Sequence, residues 1–236
     1  MKPFLIVKVG GTYADVAARF GDFEDWFAAR MDRSLGTIDT VSPFSGQSLP
    51  PASGYGGILV TGSHDMVTQK LPWSERTAGW LRQAVADRIP VLGVCYGHQL
   101  LAHAMGGVVG DNPGGKRCGT VAVRLNTQGR QDPLFRFMPE TFVAQACHSQ
   151  SVLRLPAGAT PLAASDHDPH FAFSLGSRAW GIQFHPEIDA GLLRLYIRRL
   201  GDDLPARGSD VDRLLEEVQE SPESETLLRR FQHLCA

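Results

Sequence analysis

Pro90-Val91-Leu92-Gly93-Val94-Cys95-Tyr96-Gly97-His98-Gln99 is the stretch that decides the fold. Its first half is a short apolar run rich in valine, which reads as a buried strand. A helical pattern starts near Tyr96 and runs to about Met105, where Gly106-Gly107 ends it. Cys95 therefore falls on the turn between strand and helix. Glycines at 93 and 97 remove side chains on both sides, so the turn can be sharp and another molecule can approach the sulfur. The helix start supplies unpaired N–H groups and the positive end of a dipole. The Tyr96 N–H faces the oxygen of any carbonyl that the sulfur attacks. A free cysteine is often only a small buried hydrophobe. The two glycines and the helix behind Cys95 favour a nucleophile instead.

Upstream of this stretch, strand and helix alternate. Residues 4–9 read as a buried strand ended by Gly10-Gly11. Residues 15–31 are helical in pattern, with Val16, Phe20, Phe23 and Phe27 on one face. Residues 37–41 form a second strand, and 43–57 a loop rich in Gly, Pro and Ser. Ile58-Leu59-Val60 is a strand that runs into the tight loop Thr61-Gly62-Ser63, and 73–87 is a helix. This alternation predicts an α/β fold: an open, mostly parallel, doubly wound sheet with helices on both faces. After Gly107 come short strand-like segments at 119–125, 141–145, 160–164, 171–175 and 178–184, expected to extend the sheet in partly antiparallel fashion. A helix follows at 190–200. Pro205-Ala206-Arg207-Gly208 breaks the chain, Ser209 can cap a helix, and Ser221-Pro222 starts the last one. The expected organisation is a catalytic domain over 1–200 and a helical extension over 201–236 packed on it. The apolar residues of the last helices either cover the core or form a homodimer contact. Phe23, Trp26 and Phe27 are either core or the mouth of a site.

The second informative stretch is Trp180-Gly181-Ile182-Gln183-Phe184-His185-Pro186-Glu187. An alternating strand delivers His185 at its end, and Pro186 fixes the backbone there. Residues i and i+2 face the same way in an extended chain, so Glu187 can lie beside the His185 ring. A carboxylate in that place holds the tautomer and stabilises an imidazolium. Cys95 and His185 are far apart in the chain, and both sit at strand ends. In an open α/β sheet, sites form outside the carboxyl ends of the strands.

Composition removes several alternatives. Lys and Arg number 23 against 25 Asp and Glu, a net charge of −2, which does not draw the chain to nucleic acid or an anionic membrane. No apolar stretch approaches the ~18 residues of a membrane span, and the first apolar run is too short for a signal peptide. Cys95, Cys118, Cys147 and Cys235 form no C-x-x-C pair, so reduced thiols in the cytoplasm are expected. No H-E-x-x-H spacing occurs. His98 and His103 fall on different faces of one helix, and His167-Asp168-Pro169-His170 reads as a solvated polar turn. No metal or other cofactor is expected.

The motifs G-V-C-Y-G-H-Q and G-I-Q-F-H-P-E resemble the two signatures of class I glutamine amidotransferase domains, in the family's element order from Phe4 to about Leu200. The nearest likeness is to the GMP-synthase-like stand-alone group, which includes γ-glutamyl peptidases acting on glutathione-type compounds. The resemblance implies that Cys95 attacks a γ-glutamyl amide, His185 shuttles the proton and Glu187 orients His185. It implies an oxyanion hole from the N–H of Tyr96 and a second N–H from the Thr61-Gly62-Ser63 loop. There Gly62 and Ser63 stand where many relatives carry two glycines. Gln99 matches a position that contacts the bound glutamine. Cys147-His148-Ser149-Gln150 matches a substrate-contacting backbone segment, so His148, Ser149 and Gln150 are the remaining substrate-binding candidates. The implied substrate is glutamine or another γ-glutamyl compound. The chain carries no G-x-x-x-x-G-K-[ST] or S-G-G-x-D-S phosphate loop. The ammonia is therefore expected to pass to a separate synthetase, or to be a by-product.

Overall fold

A computed structural model describes residues 2–201 and 211–235. The expected chain break at 205–208 and the Ser209 cap lie outside the described residues. In chain order the elements are β1 (Phe4–Val7), α1 (Ala14–Phe20), α2 (Phe23–Arg30), β2 (Ile38–Val41), β3 (Gly57–Val60), α3 (Pro72–Ala86), β4 (Val91–Val94), α4 (Tyr96–Ala104), β5 (Val108–Asp111), β6 (Arg117–Leu125), β7 (Thr141–His148), β8 (Gln150–Arg154), β9 (Ala159–Ala164), β10 (Ala172–Leu175), β11 (Ala179–Ile182), α5 (Ala190–Arg199), α6 (Val211–Glu216) and α7 (Pro222–Cys235).

Strands β1, β3, β4 and β11 are buried along their whole length. That is why they read as unbroken apolar runs: a parallel strand with helices on both faces has no wet side. The sheet has nine strands in the order β2-β1-β3-β4-β11-β10-β9-β6-β7. The pairings from β2 through β11 are parallel, and those from β11 through β7 are antiparallel. The expected parallel sheet with antiparallel extension is the one observed. Alternate side chains feed two cores. Ile6, Leu59, Leu92 and Trp180 meet Phe27 of α2 and Leu227, Leu228 and Phe231 of α7. Leu5, Val7, Ile58, Val60 and Val91 meet Ala78, Leu81 and Ala84 of α3 and Leu100 and Leu101 of α4.

Two expectations are corrected, over residues 15–31 and at Asp168. The single helix over 15–31 is two helices. Gly21, at φ 77°, ends α1, and Asp22 restarts the chain by accepting the Phe23 N–H at 2.8 Å. Phe20 consequently points to solvent, 46% exposed. Residues 108–111 and 150–154 form a separate two-stranded sheet, β5 with β8, which their mixed exposure hid. Asp168 is buried rather than solvated, because it accepts the His170 N–H at 2.9 Å inside its own turn. The apolar residues Leu227, Leu228 and Phe231 of α7 cover the core, the first of the two roles expected of them.

Register places the functional loops together. Ile182 of β11 lies beside Val94 of β4, and Gly93 beside Val60 of β3. The three strands end at one edge, and the chain leaves them at Thr61, at Cys95 and at Gln183.

Candidate active site

Cys95 sits at the N-cap of α4 with φ 52° and ψ −103°, an uncommon backbone conformation for a residue that carries a Cβ. The neighbours hold it there. Its N–H donates to Ile182 O at 2.9 Å and its carbonyl accepts from Gln99 N at 3.1 Å. The glycines explain the sharpness of the turn. A Cβ on Gly97 would stand 2.4 Å from Val60 O, and one on Gly93 would stand 2.3 Å from Gly97 O. Helix and sheet approach so closely that no other residue fits. Cys95 is 5% exposed, and its S–H points to the Cys147 carbonyl at 3.7 Å.

His185 reaches the same place from β11. Its N–H donates to Gln145 O at 2.8 Å, a bridge that fixes the backbone against β7. Its ring Nδ1 lies 2.7 Å from Glu187 Oε1, and both side chains are almost fully enclosed. Burial disfavours a charged ring. The Glu187 carboxylate and the adjacent Cys95 sulfur outweigh it, and they hold the His185 pKa well above the ordinary imidazole value.

The loop after β3 closes the third side. A Cβ on Gly62 would stand 3.3 Å from His185 Cε1 and 3.8 Å from Cys95 Cβ, so the Gly62 backbone lies against both groups. Thr61 O accepts the Gly97 N–H at 3.1 Å and ties this loop to the start of α4. Among the described residues no acceptor takes the N–H of Gly62, Ser63 or Tyr96. Such free donors beside a nucleophile suit a developing oxyanion. The Tyr96 ring is turned into the protein, with its hydroxyl 2.7 Å from Ser74 Oγ.

The four substrate-binding candidates divide. Gln99 is buried, and its Nε2 donates to Gln150 O at 2.6 Å and to Gln183 Oε1 at 3.0 Å. The Gln150 side chain is turned away, donating to Thr68 Oγ1 and Asp111 Oδ1. Its carbonyl, instead, holds Gln99 and also His148 Nδ1 at 2.9 Å. Burial lowers the pKa of His148 and so favours a neutral ring. Ser149 is half-buried in the wall.

Cys95, Tyr96, His185, Ser63 and the four substrate-binding candidates line one cavity of about 270 Å³, with Gly62 and Glu187 behind its wall. Its walls also hold residues that the motifs did not mark: Tyr13, His64, Lys116, Ile188 and Tyr196. Of the aromatic residues of α2, Phe23 lines the cavity, Phe27 belongs to the core, and Trp26 packs edge-on against Phe23. His64 was legible by adjacency, since it follows the Gly62-Ser63 loop. Tyr13 and Tyr196 carry no spacing signal, and only the fold brings them in.

Comparison with known proteins identifies the family. The model of the family described as glutamine amidotransferase class-I matches residues 22–198. The chain is 32% identical over 189 residues to the GMP synthase [glutamine-hydrolyzing] of Aeropyrum pernix, covering 78% of this chain and 32% of that protein. It is 32% identical over 163 residues to a γ-glutamyl-L-1-hydroxyisopropylamide hydrolase of a Pseudomonas species, covering 65% of this chain and 55% of the other. The chain thus spans about a third and just over half of these two relatives. A glutamine amidotransferase crystal structure from Thermotoga maritima superposes with a TM-score of 0.77 at 22% identity, covering 99% of this chain and 97% of that one, which shows the shared fold. Matched by the family's own model over most of its length, the chain belongs to the class I glutamine amidotransferase family.

Proposed function

We propose that this protein is a thiol amidohydrolase that cleaves a γ-glutamyl amide, in the simplest case glutamine to glutamate and ammonia. Cys95, His185 and Glu187 act as a triad. The observation that carries the reading is the buried 2.7 Å His185–Glu187 pair set against a cysteine on a strained strand-to-helix turn. The Cys95 sulfur attacks the γ-carbonyl carbon. The oxyanion is received by the free N–H of Tyr96 and of the Gly62-Ser63 loop. His185 gives its proton to the leaving nitrogen, and a water activated by the same ring then hydrolyses the thioester. Glu187 keeps the ring's other nitrogen occupied and its charge favourable. Gln99 and the 148–150 segment hold the glutamyl half.

Residues 1–200 make up the catalytic unit, and the helices α6 and α7 serve as structural cover. The protein works as a glutaminase in the cytoplasm, where its four unpaired cysteines stay reduced. Among the described residues no helix is long and apolar enough to cross a membrane. A separate synthetase takes the ammonia. A second reading, a γ-glutamyl hydrolase with no ammonia acceptor, is favoured by the likeness to the Pseudomonas hydrolase. Glutamate release from glutamine and from glutathione-type peptides tests both. Wild type releases glutamate and Cys95→Ser does not. Equal release by Cys95→Ser would end the proposal.

A further inference from the structure

Two cysteines outside the triad stand directly opposite one another. In the pairing of β6 with β7, Cys118 is the partner of Cys147. The neighbours reveal what kind of pair this is. Gln145 O accepts the His185 N–H, and Cys147 O faces the Cys95 S–H at 3.7 Å, so both carbonyls point away from β6. Leu125 N donates to Glu140 O at 2.8 Å, so hydrogen-bonded pairs fall at the odd-numbered residues of β6. Cys118 and Cys147 therefore form a non-hydrogen-bonded pair, whose Cα atoms stand about 4.5 Å apart. Disulfides span Cα separations of about 4.4–6.8 Å. Side chains on this face do meet. In the next pair along it, Thr120 Oγ1 donates to Gln145 Oε1 at 2.8 Å.

The two thiols differ in access. Cys147 is half-buried and lines the active-site cavity, within reach of a small solute. Cys118 is 6% exposed and shares a core with Ile188, Leu193 and Tyr196, so it is closed to solutes. They also differ in acidity. The Cys118 thiol beside it favours the Cys147 thiolate, burial opposes it, and the charges of His185 and Lys116 favour it again; its pKa is lowered. The same partnership, together with burial, raises that of Cys118. The accessible thiol is thus the more reactive one. Cys235 stands against Gly57, at the other end of β3 from the site, and takes no part.

We propose that Cys118 and Cys147 are a redox modification site, where a hydroperoxide entering the cavity produces a cross-strand disulfide that shuts the active site down. The Cys147 thiolate attacks one peroxide oxygen. The O–O bond breaks, hydroxide leaves, and a sulfenic acid remains on Cys147. The Cys118 sulfur then attacks the Cys147 sulfur. The S–S bond forms, the S–O bond breaks, and water leaves with the Cys118 proton. Two thiols are oxidised and one peroxide is reduced. Disulfides favour a Cα separation of about 5.5–6 Å, wider than this pair's, so closing the bond displaces the β7 backbone at Cys147. The carbonyl that faces Cys95 moves with it, as does the 148–149 segment. The bond needs nothing from the amidohydrolase reading; its effect on turnover rests on that reading.

The test treats the wild type and Cys95→Ser with hydrogen peroxide and maps both by non-reducing peptide mass spectrometry. A crosslink from Cys118 to Cys147 is expected in both proteins, removed by dithiothreitol. The wild type alone decides the question if the variant does not fold. Glutamate release from glutamine by the wild type is expected to fall at least about tenfold in the crosslinked fraction, with Cys95 still open to alkylation, and to return with dithiothreitol. No crosslink, or one that joins Cys147 to Cys95 instead, overturns the site. A crosslink with undiminished glutamate release overturns the shutdown. No glutamate from the reduced wild type overturns the amidohydrolase reading, and the crosslink map still decides the site.

Discussion

At the scale of single residues the site depends on one charged pair and two absent side chains. Glu187 is the charge that keeps His185 protonated against its burial. Glu187→Gln preserves size and one hydrogen bond but removes that charge. We expect kcat/KM to fall on the order of 10²–10⁴-fold, as when a triad carboxylate is lost. The sign of the pH effect follows from the raised His185 pKa. The protonated ring survives to higher pH in the wild type, so the alkaline limb of its pH–kcat/KM profile lies high. In Glu187→Gln that limb moves toward lower pH. A limb that stays in place would show that the carboxylate does not set the charge. The absent side chains are those of Gly93 and Gly97. Gly97→Ala would push a methyl to 2.4 Å from Val60 O. Overpacking of this kind costs about 1–3 kcal/mol. A urea unfolding midpoint equal to that of the wild type would contradict the close approach described here.

At the scale of elements, the ends of strands and helices explain both what the sequence revealed and what it hid. The turn at Cys95 and the strand end at His185 were legible because each is an apolar run stopped by residues with a steric reason to be there. The break between α1 and α2 was overlooked because apolar spacing continues across it. Phe20 and Phe23 keep the helical rhythm, while Gly21 and Asp22 interrupt the backbone. Asp22 does more than cap. Its carboxylate takes the Phe23 and Thr12 N–H groups and the Lys8 ammonium, at 2.7–2.8 Å. Burial opposes its charge, but the Lys8 partner and these N–H donors prevail, and its pKa is lowered. Its stabilising effect is therefore present above the ordinary carboxylate range and is lost as pH falls through the lowered value. Asp22→Asn is expected to cost about 1–2 kcal/mol at neutral pH. In acid denaturation series the gap to wild type closes below about pH 4. A gap independent of pH would contradict the charge argument. In α7, Phe231 meets Phe4 and Trp180 edge-on at 5.5 and 6.0 Å and is fully buried. Phe231→Ala is expected to lose about 3–5 kcal/mol by chemical denaturation. A loss under 1 kcal/mol would mean that the last helix is not part of the core.

At the scale of the whole molecule, what could not be read was whatever depends on distant parts meeting. Periodicity indicated parallel strands near the start and antiparallel ones later, and the sheet follows that plan. The small β5–β8 sheet escaped because its strands are short and partly exposed, with no alternation to mark them. The reacting residues stood out because their chemistry demands particular types at particular turns. The aromatic wall of the cavity did not, since Tyr13, Phe23, His64 and Tyr196 are ordinary aromatic residues until the fold gathers them. The fold also places a second thiol in the same cavity. Cys147 lines the wall beside Cys95 and lies opposite Cys118 in the pairing of β6 with β7. The account requires that only one of these sulfurs be the nucleophile, the one on the strained turn. Intact-protein and peptide mass spectrometry after treatment with a diazo-ketone analogue of glutamine tests this directly. One adduct per chain, on Cys95, blocked by excess γ-glutamyl substrate, is the predicted result. No adduct, or an adduct on Cys147 with Cys95 untouched, would contradict it.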